Sequence, residues 1–379
     1  QPVSFSRGQG ASLWDTEGVE YLDAIAGVAV TSLGHANPEI AAAIAEQATV
    51  LLHTTNMFRI PWQEQLGERL CLLSGMQRAF FCNSGAEANE AALKLARLHA
   101  NARQVSQPQV LVMENSFHGR TLATLAATGN PAVHRGFEPL MPGFVRVPFD
   151  NIEAIRQVAA QSPDIVAVLV EPVQGEGGVH AASAGYLQAL RQLCDEHDWL
   201  MMIDEVQTGL GRTGTWFGFE HAGIKPDVIT LAKALGNGFP IGACLARGKA
   251  AQLFSPGHHA STFGGNPLAC RVGCTVLDIM QRDHIPQRAA ASGRRLLAAL
   301  KLALGNHPEV VSVRGIGLMI GIELNGPCAE LVGRAREEQR LLITVTRGNT
   351  VRLLPPLICD DAQIDDIAAR ITRLLSPAA

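Results

Sequence analysis

Two short apolar runs, each ending near a charged side chain, constrain this chain more than any other feature in it. They lie in the stretch 200–235, LMMIDEVQTGLGRTGTWFGFEHAGIKPDVITLAKAL. Leu200-Met201-Met202-Ile203 ends at Asp204, and Val228-Ile229-Thr230-Leu231 is followed by Ala232 and then Lys233. Runs so short, apolar throughout and bounded by turn residues, fit strands buried on both faces of a parallel sheet. In an open α/β sheet the ligand crevice lies at the carboxyl ends of the strands. Asp204 and Lys233 are therefore expected to emerge at neighbouring strand ends.

An acid beside an amine suits pyridoxal phosphate, which needs a lysine for a Schiff base and an acid to keep its pyridine nitrogen protonated. The same two residues also describe an interior ion pair with no ligand, and on these two alone the ion pair is favoured. Gly209-Leu210-Gly211-Arg212-Thr213-Gly214 matches the dinucleotide pattern G-x-G-x-x-G. Such glycines should form the turn from a strand directly into a helix. Here five residues intervene after Ile203, and Thr215-Trp216-Phe217-Gly218-Phe219 is a poor helix start, so a dinucleotide site is rejected.

The rest of the chain supplies alternating strand and helix signals. With 379 residues, 47% of them hydrophobic and 17% charged, it can bury a large core with a smaller domain attached. A net charge of -4 gives no support for nucleic acid or an anionic membrane as partner. The eight cysteines form no C-x-x-C pair, and neither Cys270/Cys274 nor His258-His259 has further ligands nearby, so no metal site is expected. Free thiols, and the lack of a membrane-length apolar run or a secretion signal, point to the cytoplasm. A hairpin is expected over 12–23, then helices over 39–50 with Pro38 leading, 63–74 and 85–102, and a strand over 79–82. Further strands are read at 110–113, 165–170 and 241–246, and helices at 151–160, 185–198 and 268–282. The Pro/Gly-rich 129–149 reads as a long loop. Beyond His284-Ile285-Pro286 come helices over 288–304 and 329–340, strands over 310–313, 318–324, 341–345 and 350–354, and a last helix capped by Asp360.

Several junctions carry polar chemistry that each admits a plainer reading. Ser84 and Glu87 have capping-box spacing, and with Gly85 between a strand and a helix they make either a phosphate cradle or an ordinary βα turn. Phe117-His118-Gly119-Arg120 groups an aromatic for stacking with an arginine for carboxylates, or is a half-buried Phe beside a solvated Arg. Glu171-Pro172-Val173-Gln174-Gly175-Glu176 puts two glutamates at a strand end, as a site or as a flexible solvated loop.

Taken as an ordered set, the motifs Asn83-Ser84-Gly85-Ala86-Glu87-Ala88-Asn89, Phe117 to Arg120, Glu171 to Glu176, Asp204-Glu205-Val206-Gln207, Lys233 and Ser261-Thr262-Phe263-Gly264-Gly265-Asn266-Pro267 resemble the class III pyridoxal-phosphate aminotransferases over essentially the whole chain. That resemblance implies an α/β protein of PLP-dependent transferase fold type I. A large domain (38–284) with a mostly parallel sheet flanked by helices would carry a smaller α+β domain built from both termini (1–37 and 285–379). It implies pyridoxal 5'-phosphate held by Ser84, Gly85 and Ala86 at its phosphate, Phe117 on its ring, Gln207 at its ring hydroxyl, Asp204 at its ring nitrogen and Lys233 at its carbonyl carbon. Thr262 would reach the phosphate of the neighbouring subunit in a homodimer. Arg120 and Arg352 would anchor carboxylates, with Glu176 covering Arg352 until glutamate or 2-oxoglutarate brings a second carboxylate. The branch most resembled moves the terminal amino group of N-acetylornithine to 2-oxoglutarate in arginine biosynthesis. Succinylornithine, 4-aminobutyrate and diaminopimelate-type donors, or an aminomutase on the same scaffold, are the alternatives. Ornithine aminotransferases usually carry a tyrosine at the position of Val28, so Val28 implies preference for an acylated donor.

Overall fold

The computed structural model describes residues 3–376. Residues 1–2 and 377–379, the outer ends of the two segments expected to form the small domain, lie outside the described residues. The centre is a sheet of seven strands, numbered here in chain order: β1 Arg78–Cys82, β2 Gln109–Met113, β3 Phe144–Val147, β4 Ile165–Val170, β5 Leu200–Asp204, β6 Val228–Leu231 and β7 Gly242–Ala246. They lie in the order β1-β7-β6-β5-β4-β2-β3. Every residue of β4, β5, β6 and β7 is buried, which is why these runs are almost wholly apolar instead of alternating, with only Thr230 and the terminal Asp204 polar. Each fully buried Val, Ile or Leu contributes about 1.5–3 kcal/mol, so these four strands hold the middle of the molecule together.

The helix Gly85–Ala102 packs on β4, β5, β6 and β7, and Ala184–Glu196 packs on β5. The first buries Ala88, Ala91, Ala92 and Ala96, whose small side chains let its backbone approach the sheet closely. All neighbouring pairs in the sheet are parallel except those made by β7, which runs antiparallel to both β6 and β1. The connection 232–241 is too short for a parallel crossover, which normally needs a helix of its own.

Two expectations change. The stretch 129–149 is not loop throughout: Phe144–Val147 forms the edge strand β3, paired parallel to β2 from Val110 opposite Phe144. Pro142-Gly143 and Pro148 bound it, and an edge strand is only half-covered, so its pattern is weak. The run 341–345 divides at Ile343. Leu341–Leu342 pairs with Glu20–Asp23, while Thr344–Thr346 joins an antiparallel sheet with Thr350–Leu353, Met319–Leu324 and Val310–Ile316. The hairpin Ser12–Asp15/Glu20–Asp23 is present, with Phe5–Gln9 added to it. The smaller α+β unit thus joins both ends of the chain, and Leu354 N donates to Ala24 O at 2.7 Å and Leu357 N to Ser32 O at 2.7 Å. Helices Ile285–Leu304 and Asp361–Leu375 pack together, the former also on Val310–Ile316.

The glycines of 209–214 serve this junction. A Cβ at Gly214 would stand 2.8 Å from Ala290 Cβ, and one at Gly211 3.1 Å from Leu357. Between them, the buried Arg212 guanidinium donates to Leu318 O at 2.9 Å, Pro355 O at 2.6 Å and Ser32 Oγ at 3.3 Å. Among the described residues no helix is long and apolar enough to cross a membrane.

Candidate active site

The carboxyl ends of β1, β4, β5 and β6 open onto a cavity of about 410 Å³, within the usual range for a small-molecule site. Ser84, Gly85, Ala86, Phe117, Arg120, Asp204, Gln207 and Lys233 all line it. Asp204 closes β5 and is held on both oxygens. Its Oδ2 accepts from Asn89 Nδ2 and His118 Nδ1, each at 2.8 Å, and its Oδ1 accepts from Val206 N at 3.0 Å. Against an ionised carboxylate, His118 Nδ1 must carry its proton. Asn89 is itself fixed: Nδ2 also donates to His118 O at 2.8 Å, and Oδ1 accepts from Thr230 Oγ1 at 2.7 Å. A carboxylate offers about four lone-pair sites, so three filled leave one for a cationic N–H donor.

Lys233 follows β6 in a left-handed backbone conformation, φ 46°, which is strained for a residue with a Cβ and typical of functional positions. Burial, and then the Arg352 charge, push its amine down to about 8, against the opposing pull of Glu176, Asp204 and Glu171. Glu171 directly follows β4 and is also buried. Burial and the Asp204 charge hold its carboxyl well above the usual carboxylate range, and it accepts from Phe117 N at 3.2 Å.

At the end of β1, Ser84 caps the helix Gly85–Ala102 through Oγ, which accepts from Glu87 N at 3.2 Å. The expected capping box forms only in this half. Glu87 turns back one residue further, its Oε2 accepting from Asn83 N at 2.7 Å and Nδ2 at 2.9 Å. A Cβ at Gly85 would lie 2.7 Å from Val206 Cγ1, so glycine lets the positive end of this helix close on the loop after β5. Phe117 is half-buried on the cavity wall, and the exposed Arg120 sits with its guanidinium carbon 5.5 Å from the Phe117 ring centre.

The Glu171–Glu176 stretch is packed, not solvated. Glu176 Oε1 accepts from Arg352 Nη1 at 2.6 Å, and Arg352 Nε donates to Thr344 Oγ1 at 3.2 Å. Arg352 Nη1 also reaches Gln207 Oε1 at 3.5 Å. Gln207 lies directly over Gly175, where a Cβ would fall 1.9 Å from Gln207 Oε1. Four expected residues are not on the cavity wall: Glu176 and Arg352 adjoin it only through Gln207, and Val28 and Thr262 stand elsewhere. Val28 (φ 65°) packs against the cluster of Ala29, Val173, Val179, Met319 and Leu354 and does not line the cavity, whereas Val173 and Val30 do. Thr262 is exposed in a separate cleft of about 1440 Å³.

Asn89, His118, Thr230 and Glu171 had no assigned role from sequence. Asn89 did leave a signal, as a polar residue on the apolar face formed by Ala88, Ala91 and Ala92. The donor set fits a flat, phosphorylated pyridine aldehyde: an acid with one free lone pair, an amine of lowered basicity, an aromatic wall and a helix N-terminus.

The family pattern described as aminotransferase class-III matches residues 1–375, and the chain belongs to the class III aminotransferases, which depend on pyridoxal phosphate. Its fold is the expected fold type I. Acetylornithine aminotransferase of Nitrosomonas europaea is 52% identical over 375 residues, covering 99% of this chain and 95% of that protein. Acetylornithine aminotransferase 1 of Bordetella pertussis is 50% identical, covering 99% and 94%. Among solved structures, ornithine aminotransferase from Toxoplasma gondii ME49 superposes with TM-score 0.95 at 34% identity, covering 99% of this chain and 90% of that one. N-acetylornithine aminotransferase from Stenotrophomonas maltophilia K279a superposes with TM-score 0.86 at 35% identity, covering 99% and 95%.

Proposed function

We propose that this chain moves the terminal amino group of N2-acetyl-L-ornithine to 2-oxoglutarate, giving N-acetyl-L-glutamate 5-semialdehyde and L-glutamate for arginine biosynthesis. The observation that carries this reading is the Glu176–Arg352 pair at 2.6 Å, which adjoins the Lys233 cavity through the contact of Arg352 with Gln207 at 3.5 Å. An enzyme alternating between substrates with one and two carboxylates needs one arginine whose charge can be covered and uncovered. The half-covered Glu176 can leave, while Arg352, 2% exposed, cannot.

Pyridoxal phosphate, when bound, supplies the electrophilic carbon and the electron sink. Asp204 would keep a proton on the coenzyme's ring nitrogen, and the Asn89–His118 pair keeps the carboxylate aimed. Gln207, Phe117 and the Ser84-Gly85-Ala86 helix start would hold the ring hydroxyl, ring face and phosphate. The Lys233 amine would serve as the general base that takes the proton from the substrate carbon bearing nitrogen and as the general acid that gives it back. Arg120 at the mouth binds the carboxylate remote from the reacting nitrogen. Val28 and Val173 back an apolar wall, which accepts a neutral acyl group more readily than a free ammonium.

Steady-state rates with N-acetylornithine, N-succinylornithine, ornithine and 4-aminobutyrate, at fixed 2-oxoglutarate, test the donor. The ornithine aminotransferase superposition makes free ornithine the second reading, and a wild type preferring it would overturn the first. Glu176→Ala should leave Arg352 uncovered and raise the preference for glutamate over N-acetylornithine. Glu176 is partly solvated, so the shift is expected at about tenfold, from a charge-assisted bond of reduced worth. Equal effects on both donors in stopped-flow half-reactions would contradict the cover.

We further propose a cytoplasmic homodimer with shared sites, divided at 37/38 and 284/285 into the segments expected from sequence. The support is the cleft holding Thr262, next to which Met57 is 84% and Phe263 62% exposed, an apolar surface of the kind that partners cover. Thr262 would then complete the partner's phosphate site. Mixing Lys233→Ala and Thr262→Ala chains should give hybrids with one doubly damaged and one intact site. Activity no higher than either parent, once subunit exchange is verified, would refute sharing.

A further inference from the structure

The small-domain sheet aligns two arginines. Strand pairing sets Arg314 opposite Gly321, Gly321 opposite Arg352 and Arg352 opposite Thr344. Residues opposed in this way share one face of a sheet, so two guanidinium groups flank a glycine there. Across this face lies the hairpin formed by Val173–Gln174 and His180–Ala181, with Glu176 in its turn. Arg352 takes the Glu176 carboxylate. Arg314 takes the backbone just beyond: Nη2 donates to Gly178 O at 2.7 Å, and Nε to Gly178 O at 3.1 Å and Val179 O at 3.2 Å. The other edge of the same guanidinium is anchored, with Nη1 donating at 2.5 Å to both Glu323 Oε2 and Ser312 Oγ. Between the two arginines the hairpin comes closest to the sheet. A Cβ at Gly321 would lie 2.9 Å from Val179 Cβ and 3.2 Å from Gly178 O.

The near side of the turn is seated as firmly. Gln174 Nε2 donates to Glu114 O at 2.9 Å, and a Cβ at Gly177 would meet Asn115 O at 2.9 Å. Glu176 itself is joined to Arg352 by a single side-chain bond. The backbone on both flanks is thus fixed, and the carboxylate arm is the one part held by a contact that a rival carboxylate can replace.

We propose that Arg314 is a positioning residue for substrate selection: it pins the hairpin at Gly178 and Val179 so that only the Glu176 side chain swings on and off Arg352. All the guanidinium nitrogens of Arg314 are spent on Gly178, Val179, Ser312, Glu323 and His180, so it acts through the hairpin that carries Glu176. The inference rests on the reading of Glu176 as a cover for Arg352. Three donor contacts to two carbonyls need the forked geometry of arginine, which the single ammonium of lysine does not reproduce.

The test uses holoenzyme of wild type, Arg314→Gln, Arg314→Lys, Glu176→Ala and the double variant Arg314→Gln/Glu176→Ala. The readouts are stopped-flow half-reactions with glutamate and with N-acetylornithine, and amide hydrogen exchange over 172–182. Arg314→Gln should move the donor ratio toward glutamate by several-fold, roughly up to the tenfold of Glu176→Ala, through KM for glutamate and not kcat. Exchange over 172–182 should speed up while the coenzyme absorption band stays in place. Arg314→Lys should behave like Arg314→Gln, and the double variant should match Glu176→Ala alone. Should Arg314→Gln fail to fold, Gly321→Ala displaces the same hairpin without changing any charge and should shift the ratio in the same direction. If Glu176→Ala leaves the ratio unchanged, the cover itself is wrong. If Glu176→Ala shifts it but neither Arg314→Gln nor Gly321→Ala does, the role of Arg314 alone is overturned. A shift by Arg314→Gln that persists undiminished in the double variant overturns it as well.

Discussion

Lys233→Ala is expected to abolish turnover and the visible absorption band of bound coenzyme, while leaving the far-ultraviolet circular dichroism of the fold unchanged. In the proposed function the amine has two duties at one position, covalent attachment and proton transfer, and among the described residues no other lysine lines the cavity. Loss of a positioned general base alone costs about 10²–10⁴ in rate, and loss of the covalent link adds to that. The fold should survive, because deleting the side chain removes a positive charge held at a cost, with its amine pushed down to about 8 by burial and by Arg352. Retention of the band or of measurable turnover would place the chemistry on another residue. The lowered value has its own signature in the parent protein. Only the neutral amine attacks an aldehyde, so coenzyme capture by apoenzyme should rise with pH and level off above about 8. An ordinary lysine, near 10.4, would keep rising. At pH 7 about a tenth of the amine is neutral, against well under a thousandth for an unperturbed one.

Asp204→Asn should keep the coenzyme in place but lose most of the rate, on the order of 10² or more in single-turnover proton transfer. A neutral amide cannot hold a proton on the ring nitrogen, so the developing negative charge loses its sink. The neighbourhood makes the change harsher than simple neutralisation. Oδ2 faces two donors, Asn89 Nδ2 and His118 Nδ1, and Oδ1 faces the Val206 N–H. Whichever way the amide is turned, its NH2 meets a donor, and a buried polar clash of this kind costs about 1–3 kcal/mol. A lower thermal midpoint should therefore accompany the loss of rate. An unchanged proton-transfer rate would remove Asp204 from the mechanism.

The features readable without the structure are those written in neighbouring residues. Leu200–Asp204 and Val228–Leu231 announce themselves because strands buried on both faces are built mainly from apolar side chains, a polar one such as Thr230 needing a partner of its own. The turn after each then has to carry whatever polar chemistry the site possesses, here Asp204 and Lys233. Helix starts are equally local. Asn37 before Pro38, and Asp360 with Gln363, satisfy amide groups within their own first turn. What the tertiary structure decided depends on residues far apart in the chain. Asn89 lies 115 positions from the carboxylate it holds, and only the packing of its helix on the sheet makes it more than a buried asparagine. Gly175 looks like any loop glycine until Gln207 is laid over it. The antiparallel β7 follows from a connection too short to cross over, and β3 from an edge that tolerates a half-exposed, proline-bounded strand. The row Arg314, Gly321, Arg352 exists only through strand register, which no single segment encodes. Local sequence sets the backbone preference of a segment and the chemistry at its ends. Which of those ends meet is set by packing, because the energy that pays for the meeting is the burial of surfaces contributed by distant parts of the chain.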